Sequence, residues 1–197
     1  MSLLSVTLAL FLIMDPLGNV SSYLSLVDGI DPKKQKYIVI REMLIALATM
    51  IVFNYLGEVI FSVLHLSETT VRIASGVILF LIAIKIIFPA PDSLRANLPN
   101  GEPFVIPLAI PLIAGPSLLA TILLYANLEP SQPIMLAAIL LAWLGAVSIL
   151  LCARFFQRVL TNNGLMACER LMGMVLILLA IQRFGEGIQQ FVALYAT

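Results

Sequence analysis

Six apolar runs, each near the roughly 20 residues that a helix needs to cross a bilayer, leave this chain little choice of environment. They are Leu3 to Val27, Tyr37 to Leu56, Val71 to Phe88, Val105 to Tyr125, Ile134 to Ala153 and Leu171 to Phe191. Of its 197 residues 61% are hydrophobic and 11% charged, and the mean hydropathy is +1.06. Polar side chains are too few to cover a soluble surface of that size. The expectation is an all-α, polytopic membrane protein, a single transmembrane domain over residues 1–197.

Turn chemistry separates the runs. It lies in Asp28-Gly29-Ile30-Asp31-Pro32, in Pro89 to Pro103, in Glu129-Pro130-Ser131-Gln132-Pro133 and in Thr161-Asn162-Asn163-Gly164. Leu3 to Met14 has the length of a signal peptide's apolar region, but a basic start and a small-residue cleavage site are missing, so it is predicted to be the first membrane helix. Of the 11 lysines and arginines, all but Arg72 and Arg183 fall at the ends joined by the first, third and fifth connections. By the excess of cations on cytoplasmic loops, both termini are expected on the other side, the periplasm in a bacterium.

Two of the runs are broken in their middles. Asp15-Pro16-Leu17-Gly18-Asn19 interrupts the first, where proline removes a helix N–H, glycine loosens the backbone, and a carboxylate at bilayer centre costs roughly 3 kcal/mol. The fourth is interrupted by Pro107, Pro111 and Ala114-Gly115-Pro116-Ser117, with Pro116 one hundred positions after Pro16. Gly76 to Lys85 in the third run resembles Gly173 to Gln182 in the sixth at an offset of 97. These offsets predict two three-helix halves, about 1–90 and about 104–197. An odd helix count per half makes the repeat inverted, and broken helices 1 and 4 in matching places point to a transporter's binding site.

The expected substrate-binding set is therefore Asp15, Pro16, Leu17, Gly18, Asn19, Gly115, Pro116, Ser117 and Thr121. Asp15 is read as the counter-ion of an ammonium or a proton-coupling carboxylate, or as N-cap of the half-helix that follows, and the two kinds of role are compatible. Pro16 and Gly18 shape the backbone so that a helix N-terminus, suited to a carboxylate, opens inside the membrane. Asn19 either touches ligand or bonds between helices. Gly115-Pro116-Ser117 repeats the device from the opposite side. The hydroxyls of Ser117 and Thr121, four residues apart on one face, either line a cavity or bond back to their own helix.

Elsewhere the bland reading is favoured. Gly76 and Gly173 are close-packing positions; Arg41-Glu42 and Glu169-Arg170 are anchors near helix ends; Lys85 snorkels; His65 is a loop residue; Cys152 and Cys168 are small packing residues. No nucleophile with its base, metal-ligand cluster, phosphate loop or ATP-binding motif stands out, so neither an enzyme nor a cofactor is expected. Formal net charge is zero and the basic residues Lys33, Lys34 and Lys36 are an isolated group, so nucleic acid is not an expected partner. The expected partners are a small-molecule substrate and the lipid bilayer, with homo-oligomerisation left open. A channel or exporter for another solute, and a structural or regulatory subunit without transport, are the other classes this pattern admits.

The segments Met14-Asp15-Pro16-Leu17-Gly18-Asn19, Arg41-Glu42, Gly76 to Lys85 and Pro107-Leu108-Ala109-Ile110-Pro111-Leu112-Ile113-Ala114-Gly115-Pro116 resemble the MarC family of integral membrane proteins, in particular its YhgN-like branch. The similarity covers essentially the whole chain. It implies a six-helix inner-membrane protein, and an archaeal relative in the family implies transport of small neutral amino acids such as glycine and alanine. Many members carry asparagine in place of Asp15, a departure that bears on substrate charge or proton coupling.

Overall fold

The computed structural model describes residues 2–27, 29–63, 65, 67–88, 108–128 and 131–195, which form helices and turns with no strand among them. Helix α1 (Leu3–Met14) starts at Ser2, whose hydroxyl accepts the Ser5 N–H, and stops where Asp15 takes left-handed backbone. Helix α2 (Asn19–Leu26) continues at an angle of 45° to it. Helix α3 (Pro32–Val63) opens on proline, which suits a first helical position because the missing N–H has no partner to lose. Helix α4 (Glu68–Ile87) is capped by Ser67, which accepts the Thr70 N–H at 3.1 Å.

A π-helical turn, Leu108–Ile113, precedes α5 (Pro116–Leu128). Then come α6 (Gln132–Leu151) and α7 (Ala153–Tyr195). Within α7 the chain changes direction at Thr161, with φ 56° and ψ 173°. The polar group Thr161 to Gly164, expected as a connection, is therefore helix on both sides of a single left-handed residue. The expected connection is thus a tight one, with the break at Thr161 and the last apolar span starting at Asn163. Residues 89–107, which include the longest expected connection and Pro107, lie outside the described residues.

Among the described residues four helical stretches are long and apolar enough to cross a membrane: Pro32–Leu56, Thr69–Ile87, Gln132–Leu151 and Asn163–Ala193. The bent pair of α1 and α2 makes a fifth, while Pro116–Ala126 is apolar but shorter. The outer surface carries large apolar side chains such as Leu4, Leu81, Leu141, Leu178 and Val192, as contact with hydrocarbon requires. The interior is close-packed through small residues. On α6, Ala138, Ala142 and Ala146 recur at four-residue steps on the buried face, and Gly145 brings Phe11 of α1 against the helix backbone. Without a hydrophobic driving force between helices in lipid, such close approach supplies the attraction.

Helices α4 and α7 form the most extensive contact. A Cβ on Gly76 would meet the Phe184 backbone nitrogen at 2.8 Å and the Ala180 carbonyl at 3.0 Å. A Cβ on Gly173 would meet Ile87 at 2.8 Å and the Ala83 carbonyl at 3.5 Å. Both glycines are close-packing positions, as their spacing predicts.

Candidate functional site

The first break is closed by its own side chains. Asp15 sits at φ 46° and ψ 55°, a region that aspartate tolerates better than most residues, and its N–H still reaches the carbonyls of Phe11 and Leu12. Its Oδ1 accepts the Gly18 N–H at 3.1 Å, and its carbonyl accepts the Asn19 N–H at 3.0 Å. Asn19 in turn donates from Nδ2 to the Met14 carbonyl at 2.9 Å, joining the last residue of α1 to the first of α2. Thus Asp15 caps the turn that precedes α2. The N-cap position itself is Gly18, which brings no side chain. A Cβ on Gly18 would overlap the Asp15 carboxylate, so the glycine is what lets that carboxylate fold over the turn.

One oxygen is left over. Asp15 is 3% exposed, and its Oδ2 is buried with no hydrogen-bond partner among the described residues. A buried acceptor of this kind is expensive unless something donates to it. Glu169 of α7 lies within electrostatic reach of Asp15, and its own carboxylate is hydrogen-bonded by Ser21 of α2. Glu169 thus bonds to α2, the helix that follows the first break, where an anchor near the helix end was expected. A buried carboxylate with an open acceptor suits a cationic donor such as an ammonium.

The second break is built from backbone. Ile110 is extended, φ −134° and ψ 127°, as the residue before a proline tends to be. The Ala114 N–H reaches back to the Ala109 carbonyl at 2.8 Å, and Pro116 opens α5. Gly115 is buried, whereas Pro116 is exposed and acts by starting the helix. Ser117 and Thr121 are buried on one face of α5, with the Thr121 hydroxyl donating to the Ser117 carbonyl at 2.8 Å. The back-bonded alternative therefore holds for Thr121. The two breaks belong to one core: α1 packs on α5, α2 on the π-helical turn, and Met14, Val20, Ile113, Ala114 and Leu118 share its apolar cluster.

Comparison with known proteins decides the kinship. The profile of the MarC family integral membrane proteins matches residues 1–192. This chain belongs to the MarC family. The MarC relatives include the UPF0056 inner membrane protein YhgN of Escherichia coli K12, 47% identical over 191 residues, which covers 96% of this chain and 97% of that protein. A UPF0056 membrane protein of Buchnera aphidicola subsp. Schizaphis graminum is 44% identical over 188 residues, 95% of this chain and 96% of its own. A UPF0056 membrane protein of Chlamydia pneumoniae is 33% identical over 188 residues, 94% and 93% respectively. No solved structure matches the chain. It is an integral, multi-pass inner-membrane protein of this family.

Three charged residues gain weight that their sequence positions did not announce. Glu169 is one. Glu42 is fully buried on the core face of α3, among Ile38, Val39, Met43 and Ala46, where Arg41 holds it at 2.8 Å. This MarC chain therefore keeps a buried carboxylate, paired with a partly exposed arginine, at a position expected to be a terminal anchor. Beside it the Trp143 indole donates to the Met43 carbonyl at 2.7 Å, tying α6 to α3. Arg183 is the third, 9% exposed and hydrogen-bonded to the Tyr125 hydroxyl. The signal available beforehand was helical register, which puts Glu42 in step with Ile38, Val39 and Ala46.

Proposed function

We propose that this MarC family protein is a secondary transporter of small neutral amino acids, glycine and alanine among them, or similar small zwitterions. The observation that carries the reading is the buried, unpartnered Asp15 Oδ2 at a helix break that packs in one core with a second break. An ammonium donates to the Asp15 and Glu169 side, while orphan N–H groups in the first turn of α5 suit a carboxylate. Asp15 also offers a place for a coupling proton. The substrate crosses chemically unchanged, with no cofactor.

The architecture proposed is six spans in two inverted halves, both termini periplasmic, rocking about the breaks. Reciprocal glycine contacts support it. Gly76 meets residues 180 and 184, Gly173 meets residues 83 and 87, and the offset of 97 carries one set onto the other. Two helices related by a two-fold axis meet in this self-complementary way. The test is counter-flow of labelled glycine and alanine in liposomes holding the purified chain, beside Asp15→Asn, at several pH gradients. Saturable exchange that loses its pH dependence in the variant is the expected result. Folded protein that moves neither amino acid sinks the substrate assignment.

A further inference from the structure

The two arginines that stand apart from the other cations, Arg72 and Arg183, come together at the end of the molecule where α3 turns into α4. Arg183 of α7 donates from Nη2 to the Tyr125 hydroxyl of α5 at 2.8 Å, and its guanidinium stacks 5.1 Å from that ring's centroid. It has no carboxylate partner among the described residues. Arg72 of α4 pairs with Glu186 at 2.9 Å, one turn along α7 from Arg183, yet its Nε is buried without an acceptor among the described residues. The Glu186 carboxylate is thus taken up by Arg72, and Arg183, although deeply buried, has a neutral phenol as its side-chain acceptor among the described residues. A charged acceptor in the phenol's place makes a hydrogen bond roughly twice as strong.

Tyr125 is also the third residue of a file. Ser117, Thr121 and Tyr125 repeat at four-residue steps, so their side chains lie on one face of α5, from the second break to Arg183. At 1.5 Å per residue the file is about 12 Å long. We propose that Arg183, assisted by Arg72, is a binding station for the substrate's carboxylate at the far end of α5 from the second break. The Tyr125 hydroxyl occupies the acceptor position when no carboxylate is there. This inference rests on the transporter reading for its substrate, but the station itself is a carboxylate site that binding alone can detect.

The test titrates purified full-length protein with acetate and, separately, with ethylammonium, by calorimetry. Acetate is expected to bind wild type and to bind Arg183→Gln about 10- to 100-fold more weakly. Ethylammonium binding should be indifferent to Arg183→Gln. Tyr125→Phe keeps the stacked ring and removes only the competing acceptor, so it should bind acetate at least as well as wild type. If folded wild type takes up no acetate, or if Arg183→Gln binds it as wild type does, the station is refuted and the Arg183 stack is an interhelical tie. Glycine counter-flow by the same wild-type preparation separates the two ideas. Its failure with acetate binding intact removes the transport reading and leaves the anion site standing.

Discussion

The two breaks interrupt apolar stretches with different chemistry. In the first, side chains satisfy the interrupted helix: Asp15 caps Gly18, and Asn19 takes the Met14 carbonyl. In the second, backbone does so, through the Ala114 to Ala109 hydrogen bond around an extended Ile110. One hundred positions after Asp15, Gly18 and Asn19 stand Gly115, Leu118 and Leu119, none of which has a polar side chain. A break held by side chains can change its hydrogen bonding when a ligand or proton arrives. One held by backbone is a fixed edge, with hydroxyls a turn away. The first is accordingly the responsive half of the candidate site and the second its scaffold.

The largest way to break that contrast is Gly18→Ala. A Cβ there collides with the Asp15 carboxylate, and expelling the carboxylate from its turn should cost about 2–3 kcal/mol, at the upper end of overpacking. Steric-trap unfolding in bicelles reads the loss directly. Asn19→Leu makes the first break resemble the second, where Leu119 stands. It strands the Met14 carbonyl, for an expected loss of about 1–2 kcal/mol in the same assay. Should the variant be as stable as wild type, the staple is decorative and the two breaks are more alike than their residues imply.

Asp15→Asn runs the other way. Asparagine tolerates left-handed backbone and still offers an oxygen to the Gly18 N–H, while removing charge from a buried group with an open acceptor and Glu169 nearby. Stability is expected to rise by about 1 kcal/mol as exchange of glycine loses its pH dependence, the trade expected when a strained group serves function. A variant that is both less stable and fully active would make Asp15 a structural cap only.

Much of this was legible beforehand, and the reasons are local. Pro16, Gly18 and Pro116 act on their own backbone, so each break declares itself wherever the chain folds, and Gly76 and Gly173 declare a close approach because a missing side chain has few other uses in a membrane helix. The charged residues were harder. Whether Glu42, Glu169 or Arg183 faces lipid headgroups or the bundle depends on which helices stand beside it. Tertiary packing chooses that rotation. The break at Thr161 was legible for the same local reason, the turn chemistry of Asn162, Asn163 and Gly164 beside it, although one left-handed residue suffices to make it.

The smallest effect is the most discriminating for the second break. Thr121→Val keeps the β-branched shape and deletes a hydroxyl whose bond to the Ser117 carbonyl merely doubles what the helix already supplies. Stability should stay within about 0.5 kcal/mol of wild type, so any change in transport reflects the lost oxygen. If glycine exchange keeps its maximal rate but needs more substrate, the hydroxyl's free lone pairs serve the path along α5. If exchange is untouched, the second break contributes only its backbone edge, and recognition lies with Asp15 and the groups around it.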